Sequence, residues 1–242
     1  PAALIESAMV VLLFEIMRDV ARQYKPDAIL STYPLYQAPL TAVFAIGRMY
    51  IPLLTVVTDL VTVHRIWFHK NVDACLVATE QVAELARQSG LAADKIIVTG
   101  LPVHPDIIRE TRTREQVRAD LGWRADMITL LAVGSRRVEN LISALRVVNH
   151  FGAPLQLAVV AGKDEELYHE LVSMEWHLPA VHLYEFSKDI PSMMHASDAV
   201  ICKAGGLIVT ESLACGKPMM LIDVIPGQET GNADYVVQGG AA

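Results

Sequence analysis

The chain has 242 residues, 52% of them hydrophobic and 19% charged, with a formal net charge of −7. That composition supplies buried cores for one large or two modest domains and excludes a disordered chain. The charge is −2 up to Asp106 and −5 beyond it, so neither half has the basic excess that nucleic-acid binding draws on.

The first predicted element is a helix in which Ile5, Met9, Leu12, Leu13, Ile16, Met17 and Val20 recur at helical spacing. That stripe reads as a core face, opposite Glu6, Glu15, Arg18 and Arg22. The apolar run Ala8–Phe14 inside it stops at Glu15, far short of the roughly 20 residues that cross a bilayer. No signal peptide is visible, so the expectation is a cytoplasmic protein with room for peripheral membrane contact. The start at Pro1 without methionine, and the end just after a helix C-cap at Gly239, both read as cut.

Short apolar strands follow at 28–31, 51–57 and 72–78, then a helix over 80–89 closed by Gly90 and a strand at 95–99. Continuous apolar strands of this kind suit a parallel sheet covered on both faces. The stretch Gly100-Leu-Pro-Val-His-Pro-Asp106, with two prolines, reads as a linker. It sets a boundary between a first domain, 1–106, and a second, 107–242.

Beyond it the pattern restarts. Thr113 with Gln116 forms a capping box, and Gly122 ends that helix. Strands are expected at 127–133, 155–161, 181–184, 198–203 and 218–223. Helices fall between them, one running to Asn149, one from Asp164, and two at 191–196 and 207–215. Alternating strands and helices imply doubly wound α/β sheets, which place ligands at the carboxyl ends of strands. The three cysteines (Cys75, Cys202, Cys215) form no CxxC pair and read as reduced, small hydrophobes.

The densest chemistry lies in Cys202-Lys-Ala-Gly-Gly-Leu-Ile-Val-Thr-Glu-Ser-Leu-Ala-Cys-Gly-Lys-Pro218. A strand ends at Lys203, Gly205 and Gly206 turn the chain, and a helix opens at Leu207. Glycines let a ligand approach the backbone, and the free amides of a helix start favour an anion. Glu211, one turn in, stands where a carboxylate could accept from both hydroxyls of a ribose. A plain glycine turn with an exposed glutamate is the competing reading. A second segment tips the balance. Asp223-Val-Ile-Pro-Gly-Gln-Glu-Thr-Gly-Asn232 follows the next strand and should return to the same rim. Pro226 and Gly227 fix that loop, and Gln228, Glu229 and Asn232 offer donors and acceptors for sugar hydroxyls.

These two segments resemble the monogalactosyldiacylglycerol synthase and processive diacylglycerol glucosyltransferase family, relatives of the N-acetylglucosaminyltransferase that makes lipid II. Tyr24-Lys-Pro-Asp27, Thr58-Asp59, His64-Arg-Ile-Trp67-Phe-His69 and Gly100-Leu-Pro-Val103 extend the likeness over most of the chain. The resemblance implies a GT-B fold: two Rossmann-like domains facing a cleft, the N-terminal one incomplete here. It implies a UDP-hexose donor, a lipid acceptor such as diacylglycerol, inversion at the anomeric carbon, and no cofactor or catalytic metal. Glu211 would then hold the ribose, Gly205-Gly206 would meet the diphosphate, and Gln228, Glu229 and Asn232 would face the hexose. Tyr184 to Ser187, with Phe186, would lie beside the uracil. Rival readings are a lipid II type transferase, a UDP-sugar 2-epimerase, and an inactive nucleotide-sugar-binding module.

Two departures stand out. The family's long glycine-rich loop after the first strand of the second domain shrinks to Gly134-Ser135-Arg-Arg137. Its N-terminal glycine-rich loop with a histidine, the expected base, has no counterpart among these residues and is expected in a missing N-terminal segment, with His64 and Asp59 as weak candidates within the chain. His64 and His69 also invite a metal reading. Five residues apart on a helix they diverge by about 140°, and no Cys or carboxylate cluster joins them, so no metal site is expected.

Overall fold

The computed structural model describes residues 2–135, 138–227 and 229–242, with side chains from Ser7 onward. The chain divides into two compact units, Pro1–Leu101 and Pro102–Ala242. The division falls inside the stretch 100–106, a few residues before Asp106, and the last two residues of that stretch begin a helix over Pro105–Arg109.

The first unit runs α1 (Ala2–Tyr24), β1 (Ile29–Ser31), α2 (Gln37–Gly47), β2 (Leu53–Val56), a 3-10 turn (Arg65–Trp67), β3 (Ala74–Val77), α3 (Glu80–Gln88) and β4 (Ile96–Val98). Its strands are all parallel and lie in chain order, β1-β2-β3-β4. Right-handed crossovers that always step the same way put every connection on one face. One winding direction is therefore present, half of the doubly wound pattern. Leu53, Val57, Cys75, Val77, Val82, Ala83, Trp67 and Phe68 form the core.

Helix α1 turns differently from its expected stripe. Ala21 is buried and Met17 packs on the core, but Leu12 and Ile16, placed inside by spacing, are 68% and 54% exposed. Helix α2 was not legible. It is apolar on all sides, so it carries no 3.6-residue alternation for a periodicity argument to find.

The second unit runs α4 (Pro105–Arg109), α5 (Arg114–Leu121), β5 (Ile128–Val133), α6 (Leu141–Asn149), β6 (Leu155–Val160), α7 (Glu165–Ser173), β7 (Ala180–Tyr184), α8 (Ile190–Ala196), β8 (Ala199–Lys203), α9 (Gly206–Ala214), β9 (Met219–Asp223) and α10 (Thr230–Gln238). The strand order is β7-β6-β5-β8-β9, all parallel. The winding reverses between β5 and β8, so this sheet has both halves of the pattern. Leu130, Ala132, Leu157, Val159 and Ile201 pack under Leu141, Leu145 and Leu171.

Local chemistry sets the helix ends. The capping box of α5 is present, with Thr113 Oγ1 accepting from Gln116 N and Gln116 Oε1 accepting from Thr113 N, and Gly122 closes it in the left-handed region. Arg118 reaches from α5 into the core, donating to the carbonyls of Ala196 and Met127 and pairing with Asp198. Asp198 also accepts from Thr129 N and pairs with Arg114. Burial pushes its carboxyl up, but these partners outweigh that and hold it below the ordinary range. The network fixes α5, α8 and the start of β5 as one block.

Candidate active site

In a doubly wound parallel sheet, the crevice for a ligand opens at the carboxyl ends of strands where the winding reverses. Here that is the pair β5 and β8, whose register runs Leu130↔Ala199 to Ala132↔Ile201. Continuing it brings Gly134 level with Lys203. The loops after β6, β7 and β9 reach the same rim because all five strands point the same way.

At β8 the chain passes through buried Ala204 to Gly205, which precedes α9 with φ −72° and ψ 139° and provides no side-chain cap. Neither Gly205 nor Gly206 needs left-handed backbone. A Cβ on Gly205 would make ordinary contacts, 3.4 Å from Lys203 Nζ and 3.5 Å from Glu229 Oε1, so what glycine supplies there is an uncovered backbone. The first amides of α9 are thus presented bare, at the positive end of the helix dipole. Leu207 is exposed beside them. One turn on, the Glu211 carboxylate stands half-buried beside His104. Burial raises its pKa, and His104 offsets part of that.

The loop after β9 is stitched to this turn. Glu229 is 3% exposed; its Oε1 pairs with Lys203 Nζ and its Oε2 accepts from Ile225 N at 3.1 Å. Asn232 is buried and donates from Nδ2 to Ala204 O at 3.1 Å. These placements differ from the expectation that both side chains project toward sugar hydroxyls. They face inward because the Lys203 ammonium and the Ala204 carbonyl need partners within the rim. Pro226 and Gly227 are exposed at the loop tip, where Gly227 takes φ +76° and its N–H donates to Thr230 Oγ1. Asp223 accepts from Glu139 N at 2.8 Å, tying β9 to the segment beyond β5. Gln228, Arg136 and Arg137 lie outside the described residues.

At β5, Gly134 is walled in. A Cβ there would lie 2.6 Å from Leu141 Cδ2 and 3.2 Å from Val160 O. Gly162, after β6, has φ +70° and presses on the same point, since its Cβ would meet Gly134 O at 2.5 Å. Gly134 and Ser135 therefore start a short, tightly seated loop. At β7, Tyr184 accepts at its hydroxyl from Trp123 Nε1, and Phe186 stands 47% exposed. Ser187 Oγ accepts from Asp189 N.

The rim thus gathers Gly134, Ser135, Phe186, Ser187, Lys203, Gly205, Gly206, Leu207, Glu211, Pro226, Gly227 and Glu229. Sequence reasoning missed the approach of His104 to Glu211, since His104 was assigned to a linker, and it missed the Gly162 turn, though a glycine straight after a strand was a usable signal. Grooves of about 440 and 370 Å³ lie at the opposite, amino edge of the sheet, around Asn149, His150 and His177. They lack bare helix amides and do not coincide with the switch point.

In the first unit, His64 and His69 sit at a 3-10 turn instead of on a helix. His64 Nδ1 accepts from Ile66 N and His69 Nδ1 accepts from Asn71 N. With Nδ1 accepting, a neutral imidazole carries its proton on Nε2, so His64 is poorly set to act as a base. Asp59 is half-buried. Among the described residues no group of three His, Cys, Asp or Glu could hold a metal ion, and no helix is long and apolar enough to cross a membrane.

A family model described as monogalactosyldiacylglycerol (MGDG) synthase matches residues 3–103, and one described as the glycosyltransferase family 28 C-terminal domain matches 128–242. The chloroplastic monogalactosyldiacylglycerol synthase of Spinacia oleracea is 37% identical over 93% of this chain and 45% of its own length. Synthase 3 of Arabidopsis thaliana is 37% identical over 90% of this chain and 49% of its own. The chain therefore spans about half the length of these curated relatives. Among solved structures, Acinetobacter baumannii MurG matches with a TM-score of 0.64 at 16% identity, over 96% of this chain and 63% of that one. Staphylococcus aureus MnaA with UDP matches at 0.65 and 15%, over 95% and 69%. At such identities the likeness concerns fold alone, and that fold is GT-B.

Proposed function

We propose that the protein, which is similar to monogalactosyldiacylglycerol synthases over most of its length, transfers a hexose from a UDP-sugar to a lipid hydroxyl, diacylglycerol above all, with inversion. The observation that carries this reading is the bare glycine-started helix α9 at the switch point, with a half-buried glutamate one turn in. In this reading the α9 amides receive the diphosphate and Glu211 accepts from the ribose hydroxyls. The acceptor oxygen attacks the anomeric carbon, and the bond from that carbon to the diphosphate oxygen breaks. The negative charge that grows on the leaving diphosphate is offset by the helix start, already in place before the reaction. The acceptor proton goes to a base; the tautomer of His64 leaves Asp59 as the candidate within the first unit.

Glu229 and Asn232 act from inside, holding the loop 224–230 against the α9 turn so that its tip meets the hexose. A lipid acceptor hydroxyl sits at the bilayer interface. We place membrane contact in the first unit, whose net −1 over Pro1–Leu101 is repelled less by anionic lipid than the −6 beyond it. A UDP-N-acetylglucosamine 2-epimerase from Rickettsia bellii shares the fold at 14% identity, which carries no activity to this chain. Mass spectrometry of products from the intact protein tests the reading. UDP-galactose or UDP-glucose with diacylglycerol should yield a monohexosyl lipid, whereas transfer from UDP-N-acetylglucosamine, or isomerisation of the donor without acceptor, refutes it.

A further inference from the structure

Lys163 has no role in the account so far, yet its position is closely built. It follows Gly162 at the end of β6, and both residues are left-handed, with φ +67° and +70°. Lysine is a disfavoured choice for such backbone, where glycine or asparagine sits at less cost. The turn has no slack. Gly162 is pressed on Gly134 O, Lys163 N–H donates to Glu185 O at 3.0 Å, and the next residue, Asp164, caps α7 by accepting from Leu167 N. The backbone on both sides is pinned, so the side chain leaves from a fixed point. Its ammonium stands over the exposed Phe186 ring, 4.4 Å from the centroid.

Position along the sheet decides what this cation meets. Strand β6 is separated from β8 by β5, two strand spacings or roughly 9–10 Å. The α9 amides at β8 take the diphosphate in the reading above. Lys163 therefore faces the opposite, nucleobase end of the donor. The exposed ring of Phe186 offers a stacking platform for a base. A base stacking there displaces the ammonium from the ring face, and the flexible four-carbon stem carries it to the edge of the base. An ammonium has three donors and no acceptor. It pairs with O4 of uracil and opposes the 4-amino group that cytosine carries at that position, O2 being common to both bases.

Resting on the UDP-sugar reading, we propose that Lys163 is the specificity-determining residue that reads the carbonyl edge of the donor's uracil from its perch on Phe186. Calorimetric titration of the protein and its Lys163→Met and Lys163→Arg variants with UDP and CDP tests this. The unchanged protein should prefer UDP by about tenfold or more, the scale of one hydrogen bond to a charged group. Lys163→Met should weaken UDP by about tenfold and leave CDP within about twofold, compressing the preference, while Lys163→Arg retains most of it. An unchanged UDP affinity in Lys163→Met overturns the proposal, as does an equal loss for UDP and CDP, which would mark a phosphate contact or a structural defect. If the unchanged protein binds no UDP, the donor reading itself falls, and this inference falls with it. Normal binding with an unaffected variant removes this inference alone.

Discussion

Replacing Lys203 by methionine isolates the ion pair that joins the two donor loops. The Glu229 side chain is 4% exposed and that of Lys203 19%, so neither charge has water to fall back on. In the variant, Glu229 keeps only the Ile225 amide as partner. Stranding one member of a buried pair costs about 3–5 kcal/mol, and the reciprocal Glu229→Gln change should cost a similar amount by leaving the ammonium beneath Gly205. Lys203→Met with Glu229→Gln strands neither charge. The double variant should therefore lose much less than the sum of the singles, with a coupling of about 2 kcal/mol or more. Urea unfolding followed by tryptophan fluorescence measures all four corners of the cycle, Trp123 and Trp176 reporting on the second unit. Single losses below about 1 kcal/mol that simply add would show a solvated contact, and the claim that the pair fastens the loop 224–230 to the α9 turn would fail.

Glu211→Ala should weaken UDP binding by about 1.5–3 kcal/mol. Since the ionised carboxylate does the binding and burial raises its pKa, affinity should fall as pH drops from above the ordinary glutamate range, and this slope should vanish in Glu211→Gln. Calorimetry across pH checks both; a parallel slope in the variant assigns the titration elsewhere. Gly162→Ala should destabilise the second unit by about 2–4 kcal/mol, a steric term added to left-handed strain. Gly216→Ala, left-handed at +63° with nothing within 4 Å of its new Cβ, should cost only about 1 kcal/mol, so equal losses in denaturation would remove the close approach of Gly162 to Gly134 as a cause. The thiols of Cys75 and Cys202 are pushed up to about 11 and about 12 by burial, and should resist a charged disulfide reagent at pH 8 while half-buried Cys215 reacts first. Equal modification rates for all three would contradict the packing.

The parallel strands were legible because each is a short continuous apolar run bounded by glycine, proline or polar residues, and most ends fall within two residues of the expected ones. The glycine turn before α9 was legible for its position after a strand. The reason for glycine there is neither backbone conformation nor crowding: Gly205 is ordinary in φ, and a Cβ would meet its neighbours at ordinary contact distances. Side-chain direction was the main thing hidden. Leu12 and Leu13 are adjacent apolar residues of α1, and no spacing rule says which lies inward when the stripe covers half the helix. Glu229 and Asn232 are polar residues in an expected loop, and a linear pattern gives no sign that Lys203, 26 positions before Glu229, and Ala204, 28 before Asn232, will claim them. The division between the units falls inside the expected linker 100–106, and only its last two residues are helical, Pro105 opening α4 with His104 Nδ1 accepting from Asp106 N.

The pairing of Lys203 with Glu229 bears on how such a site can release its product. A free ammonium under the diphosphate would hold the nucleoside diphosphate after transfer as firmly as before it. Neutralised by Glu229, Lys203 adds no net charge there, and attraction falls to the α9 amides, whose partial charge is equivalent to about half a unit. A helix start acts over a short range and only on groups aligned with its axis. It therefore favours the diphosphate where the breaking bond leaves it, without the long-range pull of a full cation. In the proposed donor reading, specificity then comes from three contacts: Glu211 with the ribose, Lys163 on Phe186 with the base, and the loop after β9 with the hexose. Each of these is fastened to a different strand of one sheet. The rigidity of the parallel core, with Gly134 and Gly162 in contact at its rim, sets the spacing between them.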